Sequence, residues 1–186
     1  MRSDLRLSQA GPEATASRPG RGSPSGVEAT VTALYQTHAL RLIRLAYLML
    51  GDRASAEDVV QEAFCGLYRR WSRLADSGSA VSYLRSCVLN GCRSQLRRRA
   101  RPPAQPAEQP PPVSAESAVL ASEERAAVLR ALRRLPARQR EAVLLRYYLD
   151  LSAQEAADAM GVGPSTVRSA THRALGTLGD LLQEFS

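Results

Sequence analysis

Ser152-Ala-Gln-Glu155-Ala-Ala157-Asp-Ala-Met-Gly161-Val-Gly-Pro164-Ser-Thr-Val167 is the most informative run in the chain. Ser152 and Glu155, three residues apart, form a capping box, in which each side chain satisfies the other residue's backbone N–H at a helix start. Ala157 is small where two helices must cross closely. Gly161 supplies the positive φ of a turn. Pro164 suits the first position of a following helix, where no N–H is needed. The spacing predicts a helix-turn-helix, with a purely structural helical hairpin as the alternative.

The second helix of the pair separates those readings. At about 100° per residue, Val167, Thr171, Ala174, Leu178 and Leu182 fall along one apolar line, with Leu175 close to it, and this face is expected to be core. Ser165, Arg168, Ser169, His172 and Gly176 lie opposite, small or polar and free of acids, with Arg173 at the flank. Short side chains let a helix sink into the major groove, and Arg can bond guanine O6 and N7 together. His172 reads equally as a solvated surface histidine. Upstream, Leu132, Leu135, Ala142, Leu145 and Tyr148 are expected to form the scaffold, on two helices split at Leu135-Pro136. Arg138, Arg140 and Arg146 are read as DNA-backbone contacts or as solvated charge.

Working outward, the 186-residue chain has a net charge of +7 and contains no Lys, so all 25 basic residues are Arg. GC-rich coding accounts for that bias, so the position of the charge tells more than its total. Nine Arg between Arg69 and Arg101 stand against one acid, Asp76, a local net of +8 that leaves −1 for the rest. Such clustering fits a polyanionic partner. Cys65, Cys87 and Cys92 are odd in number, and no second Cys/His pair stands at zinc-site spacing. They are read as small packed thiols, with redox sensing as the alternative. No metal and no cofactor is expected.

Residues 1–26 are rich in Gly, Pro, Ser and Arg and poor in large apolar residues, so they are expected to be a disordered tail. Pro12, Pro19 and Pro24 would interrupt an amphipathic transit helix. Helical patterning occupies 27–100. A Pro-rich linker follows at 101–116, carrying Pro102-Pro103, Pro106 and Pro110-Pro111-Pro112, and helical patterning resumes over 117–186. As extended chain at ~3.1 Å per residue that linker reaches roughly 50 Å, or about 15 base pairs of DNA. Nothing reads as a strand. The expectation is an all-α protein of two small helical domains joined by a Pro-rich linker. Leu45 to Leu50 is far too short to cross a bilayer, and no charged-then-apolar signal opens the chain. A cytoplasmic protein without membrane insertion is expected.

The run from Leu135-Pro-Ala-Arg-Gln-Arg-Glu-Ala-Val-Leu-Leu-Arg-Tyr-Tyr-Leu-Asp-Leu to Glu155, continuing through Gly161 and Thr166-Val-Arg-Ser169, resembles region 4 of extracytoplasmic-function sigma factors of the sigma-70 family. Ala54-Ser-Ala-Glu57-Asp58-Val-Val-Gln61-Glu62-Ala-Phe64 resembles their region 2.2. Ala80-Val-Ser-Tyr83-Leu-Arg85 through Asn90 to Arg97-Arg-Arg99 resembles regions 2.3 and 2.4, most like an actinobacterial subgroup. The likeness covers roughly 27–182. Departures at Ser94-Gln95-Leu96, at Gly163, which lacks the usual Ser cap, and at Ala170, where a basic residue is frequent, bear on promoter sequence and not on class.

The resemblance implies an RNA polymerase subunit, not an enzyme. It would bind core polymerase, recognise the −10 and −35 promoter elements and initiate transcription in a stress or signal response, and an anti-sigma factor would be a further partner. On the helix expected from Ser55 to Trp71, Val60, Phe64, Leu67 and Trp71 make a core stripe. Asp58, Gln61 and Glu62 face elsewhere, an acidic patch on a basic domain that suits a positively charged protein partner. By resemblance that partner is the clamp helix of the polymerase. Glu57 and Asp58 would also simply favour a helix N-terminus. By the same resemblance, a polar loop from Ser72 to Ser79 captures a base flipped from the −10 element. Asp76, Ser77, Ser79 and Tyr83 would line its pocket. Arg85, Asn90, Arg93, Arg97 and Arg98 would hold DNA along the next helix, and Ser165, Arg168, Ser169, His172 and Arg173 would meet the −35 element. A self-sufficient duplex-binding regulator is the rival, against which the Asp58-Gln61-Glu62 face argues. For an enzyme the sequence offers no nucleophile–base pair, phosphate loop or metal-ligand set, and only His38 and His172 as histidines.

Overall fold

A computed structural model describes residues 24–74, 77–100 and 121–184. Most of the expected tail and the whole of the expected linker lie outside these residues, as does Asp76. Among the described residues there are only helices and their connections.

Helix α1 (Pro24–Leu50) starts inside the segment expected to be tail. It buries Leu34, Leu42, Leu45, Ala46 and Met49, a spacing of three and four residues that lines one helical face. It ends at Gly51, whose φ of 75° and N–H bond to Tyr47 O (2.7 Å) close the last turn in a left-handed conformation that glycine adopts freely. Asp52 then caps α2 (Arg53–Arg70), its carboxylate accepting from the N–H groups of Ala54 and Ser55. The short Gly51-Asp52 connection folds α2 back along α1. Val60, Phe64 and Leu67 are buried as the stripe requires, and Phe64 meets Tyr35 edge-to-face at 5.0 Å. Trp71 is only half-buried and belongs to a single tight turn, Trp71–Arg73. Helix α3 (Ser77–Arg99) crosses both and completes a three-helix unit.

The second unit begins with α4 (Ala121–Arg134). Leu135-Pro136 breaks the chain, and α5 (Ala137–Val143) runs on through one wide turn, Leu144–Tyr148. Helices α6 (Ala153–Met160) and α7 (Pro164–Gln183) form the helix-turn-helix. Both halves of the Ser152–Glu155 capping box are present, Gly161 sits at φ 66°, and Pro164 occupies the first turn of α7. Leu132, Leu135, Ala142 and Leu145 are buried beneath this motif, as expected, while Tyr148 is half-buried.

The two units pack on each other. Helix α6 lies against α3, α4 and α5 against α1, and the buried residues of both units form one continuous cluster.

Candidate nucleic-acid interface

Helix α7 is inserted by Val167, Ala170, Thr171, Ala174 and Leu181, all buried. Ser165, Arg168, Ser169, His172 and Arg173 are exposed, together with Gly176, at which an added Cβ would meet nothing within 4 Å. This is a shallow polar surface raised on a rigid helix. Two details differ from expectation. Leu175 is 42% exposed and lies with Arg168 and His172, on a flank that none of the described helices covers. Ala170 belongs to the core, so the basic residue frequent there in similar proteins would need to escape burial.

Asp58, Gln61 and Glu62 are exposed on the outer side of α2. Glu62 also borders a groove of about 340 Å³ between α2 and α3, together with Tyr83, Cys87 and Asn90. One groove therefore joins a residue expected to meet protein to two expected to meet DNA. The hydrogen bond with Cys87, first, and burial, second, push the Tyr83 phenol up.

The expected flexible loop is shorter than the sequence indicated. Helix α3 already begins at Ser77, so Ser77 and Ser79 are helical, and Ser79 is half-buried.

Along α3 the expected DNA contacts divide. Arg97 and Arg98 are exposed in the last turn, where cations are favoured by the helix dipole. Arg85 is half-buried in a cleft of about 300 Å³ between α3 and α6, facing Glu155 and Asp158. Burial depresses its guanidinium pKa, against the pull of Glu155. Arg93 is largely buried and turned toward the second unit. Its Nε donates to Glu141 Oε2 (3.1 Å), its Nη2 to Glu141 Oε1 and to Met160 O (3.1 Å), and its Nη1 to Asn90 Oδ1 (2.8 Å). As folded here, Arg93 is not presented to DNA as expected, whereas Asn90 stays exposed on the α2–α3 groove with its Oδ1 accepting from Arg93.

Three further arginines fill unexpected places. Arg140 is 7% exposed and donates to the carbonyls of Met49, Arg133 and Leu135, so it is neither a phosphate contact nor a solvated charge. Arg146 is turned to Leu151 O, inside its own unit. Arg138 is exposed but reaches Met160 O (3.3 Å) and stands 3.9 Å from Glu141. Glu141, 1% exposed, was not singled out by its sequence context. The one available signal was an acid between Leu135 and Leu145 on a helix whose neighbours are core. Burial pushes its carboxyl up, opposed by Arg93 and Arg138.

Two family models match the chain in order, Sigma-70 region 2 over residues 34–102 and Sigma-70 region 4 over residues 125–178. The RNA polymerase sigma-E factor of Streptomyces avermitilis is 34% identical over 142 residues, covering 76% of this chain and 79% of that protein. The chain belongs to the sigma-70 family. A second relative, the ECF RNA polymerase sigma factor SigM of Mycobacterium tuberculosis, is 34% identical over 149 residues, covering 80% of this chain and 75% of its own. These relatives place the sigma factor in the extracytoplasmic-function group, with actinobacterial kin. The fold agrees with the solved structure of the sigma factor RpoE in complex with the anti-sigma factor NepR from Bartonella quintana, at a TM-score of 0.62 and 23% identity over 82% of this chain and 98% of that one.

As a sigma factor the protein works with core RNA polymerase and promoter DNA, directs promoter recognition and transcription initiation, and catalyses no reaction itself. The basic helix α3 and the polar face of α7 are the surfaces within regions 2 and 4 whose chemistry suits a polyanion. Among the described residues no helix is long and apolar enough to cross a membrane, and no cluster of His, Cys, Asp or Glu is placed to hold a metal ion.

Proposed function

We propose that the two units divide promoter reading between them, on the domain boundaries given by sequence (27–100 and 117–186). The α7 face bearing Ser165, Arg168, Ser169, His172 and Arg173 reads the −35 element in the major groove. The α3 surface bearing Tyr83, Arg85, Asn90, Arg93, Arg97 and Arg98, preceded by Asp76, Ser77 and Ser79, reads and melts the −10 element. Asp58, Gln61 and Glu62 dock on core polymerase. The protein acts in the cytoplasm, in a response to stress or another signal, and an anti-sigma factor of the kind seen with its structural relative is a fitting regulator.

The observation that carries this reading is the outer face of α7. From Pro164 to Gly176 it contains no acid, and its short side chains and two arginines stand exposed above a buried apolar seat. A groove-reading helix needs such a surface, because an acid there would repel phosphate and a bulky side chain would hold the helix out. In-vitro transcription with purified core polymerase tests it. Start sites should map downstream of a shared pair of −35 and −10 sequences, and initiation should fall when either element is scrambled. Initiation indifferent to both elements would overturn the division of labour.

A further inference from the structure

The run Arg97-Arg98-Arg99 closes α3. All three side chains reach solvent, but Arg99, 41% exposed, is also bound back into the first unit. Its Nη1 donates to Leu50 O (2.9 Å), and its Nη2 to Asp52 Oδ2 (3.2 Å) and Ser55 Oγ (2.9 Å). Leu50 O belongs to the negative end of the α1 dipole, and Asp52 is the carboxylate that caps α2. One side chain therefore gathers three helix ends, the last turns of α1 and α3 and the first turn of α2. A guanidinium presents its donors as a planar fork that suits several acceptors at once, whereas an ammonium is a compact point charge. One turn earlier, Leu96 packs against the core, and Ala100 N–H still donates to Leu96 O (3.0 Å). Every partner of this clamp lies in the first unit, so the clamp is independent of where the second unit sits. Exposed bonds of this kind add little to global stability, so their loss acts on where α3 ends and not on whether the unit folds.

We propose that Arg99 is a positioning residue that fixes the point where α3 ends, and with it the separation of −35 and −10 elements that this sigma factor accepts. The linker expected from sequence starts at residue 101, directly after the clamped turn. Without the clamp, each residue that leaves the helix exchanges a rise of ~1.5 Å for an extended ~3.1 Å. A whole turn released adds roughly 6 Å to the reach of the tether, about two base pairs of DNA. The second DNA contact is effectively intramolecular, so its strength depends on that span. The same release blurs the places of Arg97 and Arg98, which stand on this turn. The spacing role rests on the division of promoter reading proposed above. The clamp does not, since it is a property of the first unit alone.

Spacing profiles and amide exchange on the full chain test this. In-vitro transcription with core polymerase is run on templates that differ only in the −35 to −10 separation, changed by single base pairs. The parent chain should show one sharp optimum. Arg99→Ala should lower that peak about threefold and favour separations about two base pairs longer. Arg99→Lys, which keeps the charge but not the fork, should do so less. Deleting Ala104 and Gln105 from the Arg99→Ala chain removes ~6 Å of extended tether and should return the optimum to the parent separation. In the free protein, amide exchange over residues 97–100 should be about tenfold faster in Arg99→Ala, with circular dichroism showing the other helices retained. Loss of initiation by one factor at every separation, with the optimum unmoved, overturns the positioning role, because a direct bond to DNA or a purely stabilising contact would act that way. Unchanged exchange overturns the clamp. A parent chain without any optimum overturns the division of promoter reading and the spacing role with it, while exchange still decides the clamp.

Discussion

Gly91 on α3 and Val59 on α2 approach so closely that a Cβ on Gly91 would lie 2.7 Å from Val59 Cγ1. Val59 is buried, and its β-branched side chain is stiff in a helix, so it cannot give way. Ala at position 91 would gain about 1 kcal/mol of helix propensity, yet overpacking costs typically 1–3 kcal/mol. Gly91→Ala is therefore expected to lower the midpoint of thermal unfolding. Adding Val59→Ala, which makes room, should recover part of the Gly91→Ala loss. A pair of mutations that merely add would show that the two residues are not coupled.

The Asp52 cap carries a pH signature. The side-chain hydrogen bond with Ser55 is the largest influence on its carboxyl; it outweighs burial, the second influence and an opposing one, and with the N–H groups of Ser55 and Ala54 and the nearby Arg99 it holds that carboxyl below its ordinary value. A depressed folded-state value means the ionised form is the stabilising one. The contribution is complete above the ordinary carboxylate range and is lost as pH falls through that range toward the depressed value. Asp52→Ala should cost about 1 kcal/mol at neutral pH, and Asp52→Asn less, because Asn also caps. Denaturant titrations at neutral and at acid pH should show the Ala penalty shrinking on acidification.

Reversing charge at Asp58 and Glu62 together should slow association with core polymerase and weaken it by on the order of 1–2 kcal/mol, with a changed salt dependence. Both side chains are exposed, so helical content should not change. Surface-plasmon measurements against immobilised core polymerase check this, and unaltered binding would move the docking surface elsewhere.

Arg168→Ala should cost about 1–3 kcal/mol at the cognate −35 sequence and relax base preference there. Arg97→Ala, at the exposed end of α3, should weaken binding across sequences and reduce the salt slope by about one unit. Binding isotherms over a salt series on cognate and scrambled promoters separate the two. Identical behaviour of both variants would remove the distinction between a specifying and a positioning arginine.

The helix-turn-helix was legible because its signals are local. The capping box joins two residues three positions apart, Gly161 answers to its own φ, and Pro164 to the N–H it lacks. The polar face of α7 followed from periodicity, since exposure on a helix repeats with the turn. Periodicity failed at the margins. Leu175 was expected near the core and is exposed, and Leu181 is buried beyond the stripe, because the width of a buried face depends on which neighbour arrives to cover it. The Ser72–Ser79 loop was read as longer than it is, since a Ser- and Gly-containing start to α3 looks like a loop in sequence.

Sequence alone determined the class of protein, the all-helical units, the capped helix-turn-helix and its outward polar face, because each rests on chemistry within one or two helical turns. Tertiary structure alone decided the fates of Arg93, Arg140 and Glu141. Arg93 and Glu141 are 48 residues apart and Arg140 and Met49 are 91 apart, so no local pattern couples them. An arginine in a basic run looks like a DNA contact until the fold brings a buried carboxylate to it. A guanidinium bonds whichever anion or carbonyl is nearest, and only the packing of one unit on the other determines which that is.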